Sequence, residues 1–324
     1  MCVLFLKKIF NLENKKAVEF GFNLIFSLIV GAFILFLAIY FASKFIKTQE
    51  NVFYTESAAQ IVSFLDPFET GIASGKSSEI NFKKETRIYN EYCNPNDNLP
   101  FGLQKISFSE KTLGEKFGDK GEKIQVKNKY IFSDKIVQGK KMNIFSVSFS
   151  MPFKISDLLI IFSKDYCFYD PPQKIVDDVE GLRIKNIYFP NETEKCNGVR
   201  VCFKDYSNCD IKVYEDEKYV QKEGKRLYYY DNLIYGAIFS SSDVYECNVK
   251  RLMNKIEALG EIYENKIKII ERKGCDPRIE LKLSNLMNIT RNIDNSKALN
   301  QISKLSDEID EINRAANPGC KLFN

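Results

Sequence analysis

Between Phe20 and Ser43 the chain runs for 24 residues without a charge. A helix of that length rises roughly 36 Å, enough to cross a hydrocarbon core about 30 Å thick with some tilt. Gly31 is its only interior glycine, and it holds no proline. A soluble helix keeps a polar face, and this one has none, so a membrane anchor is expected in place of a buried core helix. A cleaved secretory signal would have an apolar region of only about 7–15 residues and a small-residue cleavage site, and neither is found.

The flanks orient the anchor. Lys7, Lys8, Lys15 and Lys16 precede it, while Lys44 and Lys47 follow. The positive-inside bias then places residues 1–17 in the cytosol, a transmembrane helix over 18–46, and the bulk of the chain outside. These six lysines, set against Glu13 and Glu19, carry the whole net charge of +4. The remainder is balanced, a solvated surface with no nucleic-acid footprint.

Cysteine placement agrees with that topology. Cys2 falls on the cytosolic side. Cys93, Cys167, Cys196, Cys202, Cys209, Cys247, Cys275 and Cys320 all fall on the other. An even set in an oxidising compartment reads as a disulfide framework. Buried free thiols are the alternative. Zinc is a third, but Cys196, Cys202 and Cys209 lack a CxxC knuckle and there is no histidine in the chain. Asn191 and Asn288 open Asn-x-Thr triplets that an exterior domain could display as glycosylation sites.

The pattern after the anchor implies an α+β chain. Apolar residues at Ala58, Ile61, Val62 and Leu65 continue a helical stalk over 47–66, and Pro67 ends it. Residues 67–242 read as a β-rich head, an antiparallel sheet or sandwich. Expected strands are Val126–Phe132, Met142–Phe149, Leu182–Phe189, Val199–Phe203 and Ile211–Tyr214, each rich in β-branched and aromatic residues. Asp157–Ser163 and Leu227–Phe239 fit either strand or helix. Tyr228, Tyr229 and Tyr230 read as strand packing. Residues 243–324 switch to a helical period. Asp243 with Glu246 resembles a capping box. Val249, Leu252, Ile256 and Leu259 open one stripe, and Gly274 and Cys275 break it. Asp276 and Pro277 then read as N-cap and first residue of a second helix. A further phase break at Asn292–Ser296 leaves two outcomes, a hairpin with a long second helix or a three-helix unit in which Ser296–Ala316 turns back. The turn favours pairing of Cys275 with Cys320; a straight course favours Cys247 with Cys320.

Signals for chemistry are sparse. No Walker loop, GxGxxG, GxSxG or HExxH occurs, and with no histidine the commonest general base is missing. Asp177, Asp178 and Glu180 read as a solvated acidic loop, and Asp165 beside Cys167 as the neighbour of a bridge or core cysteine. No cofactor is implied.

Lys15-Lys16-Ala17-Val18 ahead of the apolar helix resembles the leader that a prepilin peptidase recognises. With Lys15–Ile46, Leu65–Gly75 and Ile234–Met253, the chain looks similar to archaeal single-pass membrane proteins with type IV pilin-like N-termini. The resemblance implies cleavage between Ala17 and Val18 and packing of the helix in an assembly. Pilins usually place glutamate fifth in the mature helix, whereas Glu19 would be second. The group lends no activity. The function expected is therefore a non-enzymatic envelope protein with an interaction or structural domain outside the cell, its partners the membrane and either further copies or other envelope proteins. The rival is a membrane-tethered enzyme or carbohydrate-binding module using carboxylates and tyrosines of the β-rich domain. A concave polar pocket with converging acids would favour the rival.

Overall fold

The computed structural model describes residues 22–64, 77–96, 99, 101–112, 116–191, 194, 196–275 and 278–323. Cys2, Lys15–Glu19, Leu65, Pro67, Asp276 and Pro277 lie outside them, so the leader site at Ala17 and Val18 and the caps read at Asp276 and Pro277 have no structural counterpart here. The chain divides into two units, residues 1–50 and 51–324. Helix α1 (Phe22–Phe64) contributes to both. Its stretch Ile25–Ile46 is long and apolar enough to cross a membrane, and none of it is buried.

The second unit holds two six-stranded sheets. The first, ordered β3-β2-β1-β5-β6-β4, is built from β1 (Ser77–Asn94), β2 (Leu103–Glu110), β3 (Ile124–Val126), β4 (Tyr130–Phe132), β5 (Ile136–Ser150) and β6 (Lys154–Phe162). Along β5 and β6 side chains alternate between two cores, as the twofold strand period requires. Phe145, Val147, Phe149, Leu158, Ile160 and Phe162 enter the larger one. Met142, Ile144, Leu159 and Ile161 enter the smaller, where Tyr54, Ala58 and Ile61 from the end of α1 cover them. A sheet covered on both faces explains the uninterrupted run Leu158–Phe162. Tyr54, Ala58 and Ile61 of the segment read as a stalk are thus packed into this unit.

The second sheet, ordered β12-β11-β10-β9-β7-β8, comprises β7 (Tyr166–Tyr169), β8 (Ile187–Tyr188), β9 (Val199–Cys202), β10 (Ile211–Tyr214), β11 (Tyr219–Lys222) and β12 (Lys225–Tyr228). The antiparallel expectation is corrected here. β8, β7, β9 and β10 run parallel, and β4 pairs with β6 in parallel as well. Helix α2 (Gln173–Gly181) is the crossover that lets β7 and β8 lie parallel.

Other expectations also shift. Val126–Phe132 is two strands, broken at Asn128 with φ 55°. Only Ile187–Tyr188 of Leu182–Phe189 is strand, because Leu182 closes α2 and Arg183 turns left-handed at φ 54°. Of Asp157–Ser163, all but Ser163 falls in β6, and Leu227–Phe239 divides into the end of β12 and helix α3 (Leu233–Phe239).

Helices α4 (Ser242–Glu271), α5 (Glu280–Arg291) and α6 (Leu299–Ala315) follow. Arg291 pairs with Glu257, and Gly260 sits against Met287, so α4 and α5 are antiparallel. A 3-10 turn, Ser296–Ala298, starts the return of α6. Glu246 does not close a capping box. Its carboxylate instead accepts from the Ser296 amide at 2.7 Å and the Ser296 hydroxyl at 2.6 Å, holding the start of that turn. Asp243 bridges Lys135 (2.6 Å) and Lys225 (2.8 Å), which hold its carboxyl down at about 2. The helices share the larger core with both sheets.

Candidate functional site

Two adjoining clefts open at the amino ends of β7, β9 and β10. One, of about 650 Å³, is lined by Asp134, Lys164, Asp165, Tyr166, Asp210, Lys222 and Glu223 among others. Its neighbour, about 710 Å³, shares Asp165, Asn197 and Gly198 and adds Tyr188, Phe189 and Glu194. The shared ridge depends on Gly198. A Cβ there would lie 2.6 Å from the carbonyl carbon of Asp165, so only glycine lets β9 approach the β6–β7 link this closely.

Each polar wall residue is held by its own support. Asp134 pairs with Lys164 at 2.7 Å. Asp165 accepts from the Asn186 amide at 2.6 Å, and Asp210 from the Arg200 backbone N–H at 2.8 Å. The β11–β12 turn places Glu223 and Gly224 at φ 51° and 71°, the left-handed pair of a two-residue hairpin. That turn carries the Glu223 carboxylate to the start of α4, where the Ser242 hydroxyl donates to it at 2.8 Å. Lys222 is buried and donates to the Ile238 carbonyl at 2.9 Å. Burial pushes its ammonium down to about 8. Burial, reinforced by the charge of Asp134, pushes the Tyr166 phenol well above its usual range.

The result is a mixed wall of carboxylate acceptors and ammonium donors with the half-exposed Tyr188 ring beside it. Such a surface can orient a polar ligand through several directional bonds while an aromatic face packs on its apolar side. Among the described residues no group of three histidines, cysteines or acids is placed to hold a metal ion.

The cysteines form four pairs at disulfide distance: Cys93–Cys247, Cys167–Cys196, Cys202–Cys209 and Cys275–Cys320, with Cα separations of 6.1, 6.3, 6.0 and 5.5 Å. The pairing of Cys247 with Cys93 excludes its pairing with Cys320. Cys196 lines the second cleft, and the Cys167–Cys196 pair packs with Cys202, Cys209, Tyr169 and Tyr206. Asn191 is exposed in a loop. Asn288 is exposed on α5, but Thr290 of its triplet is buried and bonded to the Met287 carbonyl. Asp178 is not merely solvated, since it accepts from the Tyr235 hydroxyl at 2.7 Å. Of the cleft residues, the sequence reading singled out Asp165 and Cys196 but attached no ligand to them. Asp134, Asp210, Lys222 and Glu223 were missed, and no local motif marks them.

No family model, curated protein or solved structure matches this chain.

Proposed function

We propose that the chain is a single-pass envelope protein that holds a disulfide-pinned, non-enzymatic interaction domain outside the cytosol. The observation that carries this is the helix Ile25–Ile46, whose Leu28, Phe33, Leu35 and Phe36 are all exposed. An apolar surface on every side of a helix finds its solvent in lipid. Four cysteine pairs in the remainder fit an oxidising compartment. Protease added to intact cells tests the topology. Residues after about 50 should be digested and Lys7 and Lys8 spared; protection of the large unit would overturn it. The pilin-like reading adds cleavage after Ala17, and intact-mass measurement should then show a chain beginning at Val18. Retention of Met1 or Cys2 would leave only a resemblance of anchors.

The paired clefts favour a more specific second reading, a membrane-tethered module for a hydroxyl-rich ligand such as a carbohydrate. Carboxylates Asp165, Asp210 and Glu223 would accept from hydroxyls, and Tyr188 would pack against a sugar face. Titration with neutral oligosaccharides should perturb Tyr188 and Asn197 resonances together. A Tyr188→Ala variant that binds them as well as the parent would sink this reading.

A further inference from the structure

Three carboxylates of the first cleft have no cation in contact with them. Asp165, Asp210 and Glu223 all line it, and all are exposed. Asp165 uses Oδ1 to accept from the Asn186 amide, and Asp210 uses Oδ2 to accept from the Arg200 backbone N–H. Glu223 uses Oε2 to accept from the Ser242 amide and hydroxyl. Each of those donors is neutral, and each carboxylate keeps its other oxygen. None of the three takes an ion-pair partner among the described residues. The two amines of the lining are engaged elsewhere. Lys164 pairs with Asp134 at 2.7 Å, and Lys222 is buried and donates to the Ile238 carbonyl. Lys222 and Lys225 act on Glu223 only through space.

A carboxylate oxygen accepts more strongly from an ammonium than from a hydroxyl, and a cleft lined mainly by one sign of charge concentrates the opposite sign. Among the described residues no three acids are grouped to share one metal ion, so the remaining oxygens suit separate donors along one extended ligand. The second cleft adds an apolar contact. Beyond the ridge it shares with the first, at Asp165, Asn197 and Gly198, the Tyr188 ring is 49% exposed. That ring can take the apolar face of a sugar. Outside the anchor and its flanking lysines the chain is balanced in charge, so a polycation has no general attraction to it and must be held locally.

We propose that the paired clefts select an amine-bearing oligosaccharide, its protonated amino groups on Asp165 and Asp210 and a neighbouring sugar ring on Tyr188. This preference rests on the clefts taking a carbohydrate at all. Calorimetric titration of the full chain in a zwitterionic bilayer disc compares a glucosamine tetrasaccharide with its fully N-acetylated form, which has the same backbone and no charge. The charged sugar should bind about tenfold tighter at low salt, as charge-assisted hydrogen bonds replace neutral ones. High salt should shrink the difference. Asp165→Asn and Asp210→Asn keep an oxygen to accept from Asn186 and from the Arg200 N–H. Each should remove most of the preference and leave binding of the N-acetylated sugar and the melting temperature unchanged. Glu261→Gln, at an exposed position on α4 outside the clefts, should leave the preference intact. Equal binding of the two sugars would overturn the amine preference and leave the carbohydrate reading standing, whereas binding of neither would overturn both. A preference that survives both aspartate substitutions, or that Glu261→Gln removes equally, would also overturn it. So would tetralysine binding as tightly as the charged sugar, because the clefts would then respond to charge alone.

Discussion

Lys222 carries a pH signature that can be measured. Burial lowers its folded pKa from the ordinary 10.5 to about 8, so between those values the unfolded chain binds more protons than the folded one. Stability then rises with pH across that window and carries the full cost of the buried charge below it. Lys222→Met removes the charge and leaves the stem. Relative to this variant, the parent should gain roughly 3 kcal/mol between pH 7 and 10.5, read from paired denaturation curves. A constant difference would mean that the amine is not desolvated. Arg251 is buried too, and burial likewise lowers its pKa, but its guanidinium donates to the Phe101 and Lys129 carbonyls, Gln104 Oε1 and Asn248 Oδ1 at 2.8–3.1 Å. It also lies 4.7 Å from the Tyr130 ring centre. Arg251→Leu would strip that donor from the Phe101 and Lys129 carbonyls and Asn248 Oδ1, leaving Gln104 Oε1 only the Ile131 amide, and should cost at least about 3 kcal/mol at neutral pH. Arg251→Lys should recover only part, since an ammonium cannot reproduce the fork.

Among the elements, two glycines in helices make a contrast. A Cβ on Gly236 in α3 would lie 2.6 Å from the Phe132 ring, which is fully buried in β4. A Cβ on Gly260 in α4 would meet the end of the Met287 side chain instead. A thioether can rotate aside and a packed ring cannot. Gly236→Ala should therefore destabilise by about 1–3 kcal/mol, and Gly260→Ala by clearly less, in thermal melts. The same contrast between local and distant causes explains what could be read from the sequence. The apolar span and the stripes of α4 and α6 were legible, because a helix declares its buried face within a few turns. β1 was not, because its first half, Ser77–Lys84, is largely exposed and polar, and shifts register between Asn81 and Thr86. α2 was mistaken for an acidic loop, because only Ile175 and Val179 of its residues are buried. The parallel strands stayed hidden because short strands do not announce their partners. The cleft was hidden for the same reason: Asp134, Asp165, Asp210 and Glu223 are far apart in sequence and meet only through the sheet.

For the molecule as a whole, three of the four cysteine pairs contrast in the length of chain they close. Cys202–Cys209 spans 7 residues between neighbouring strands, where the chain is already confined. Cys93–Cys247 spans 154 residues and joins β1 to α4, the first sheet to the helices. Cys275–Cys320 spans 45 and ties the chain end to the α4–α5 turn, where Asn313 also accepts from the Leu322 amide at 2.6 Å. If bridges act by restricting the unfolded chain, the contributions scale with the logarithm of loop length: roughly 5, 4 and 2.4 kcal/mol for the 154-, 45- and 7-residue loops. Paired Cys→Ser variants should lose stability in that order in urea titrations of the full chain in mild detergent. The order is the discriminating result, since strain or local packing can alter each magnitude but has no reason to follow loop length. A larger loss on removing Cys202–Cys209 than Cys93–Cys247 would show that packing around Tyr169 and Tyr206 outweighs chain entropy. The domain would then be held by its two cores, with the long bridge merely recording that sheet and helices were already in place.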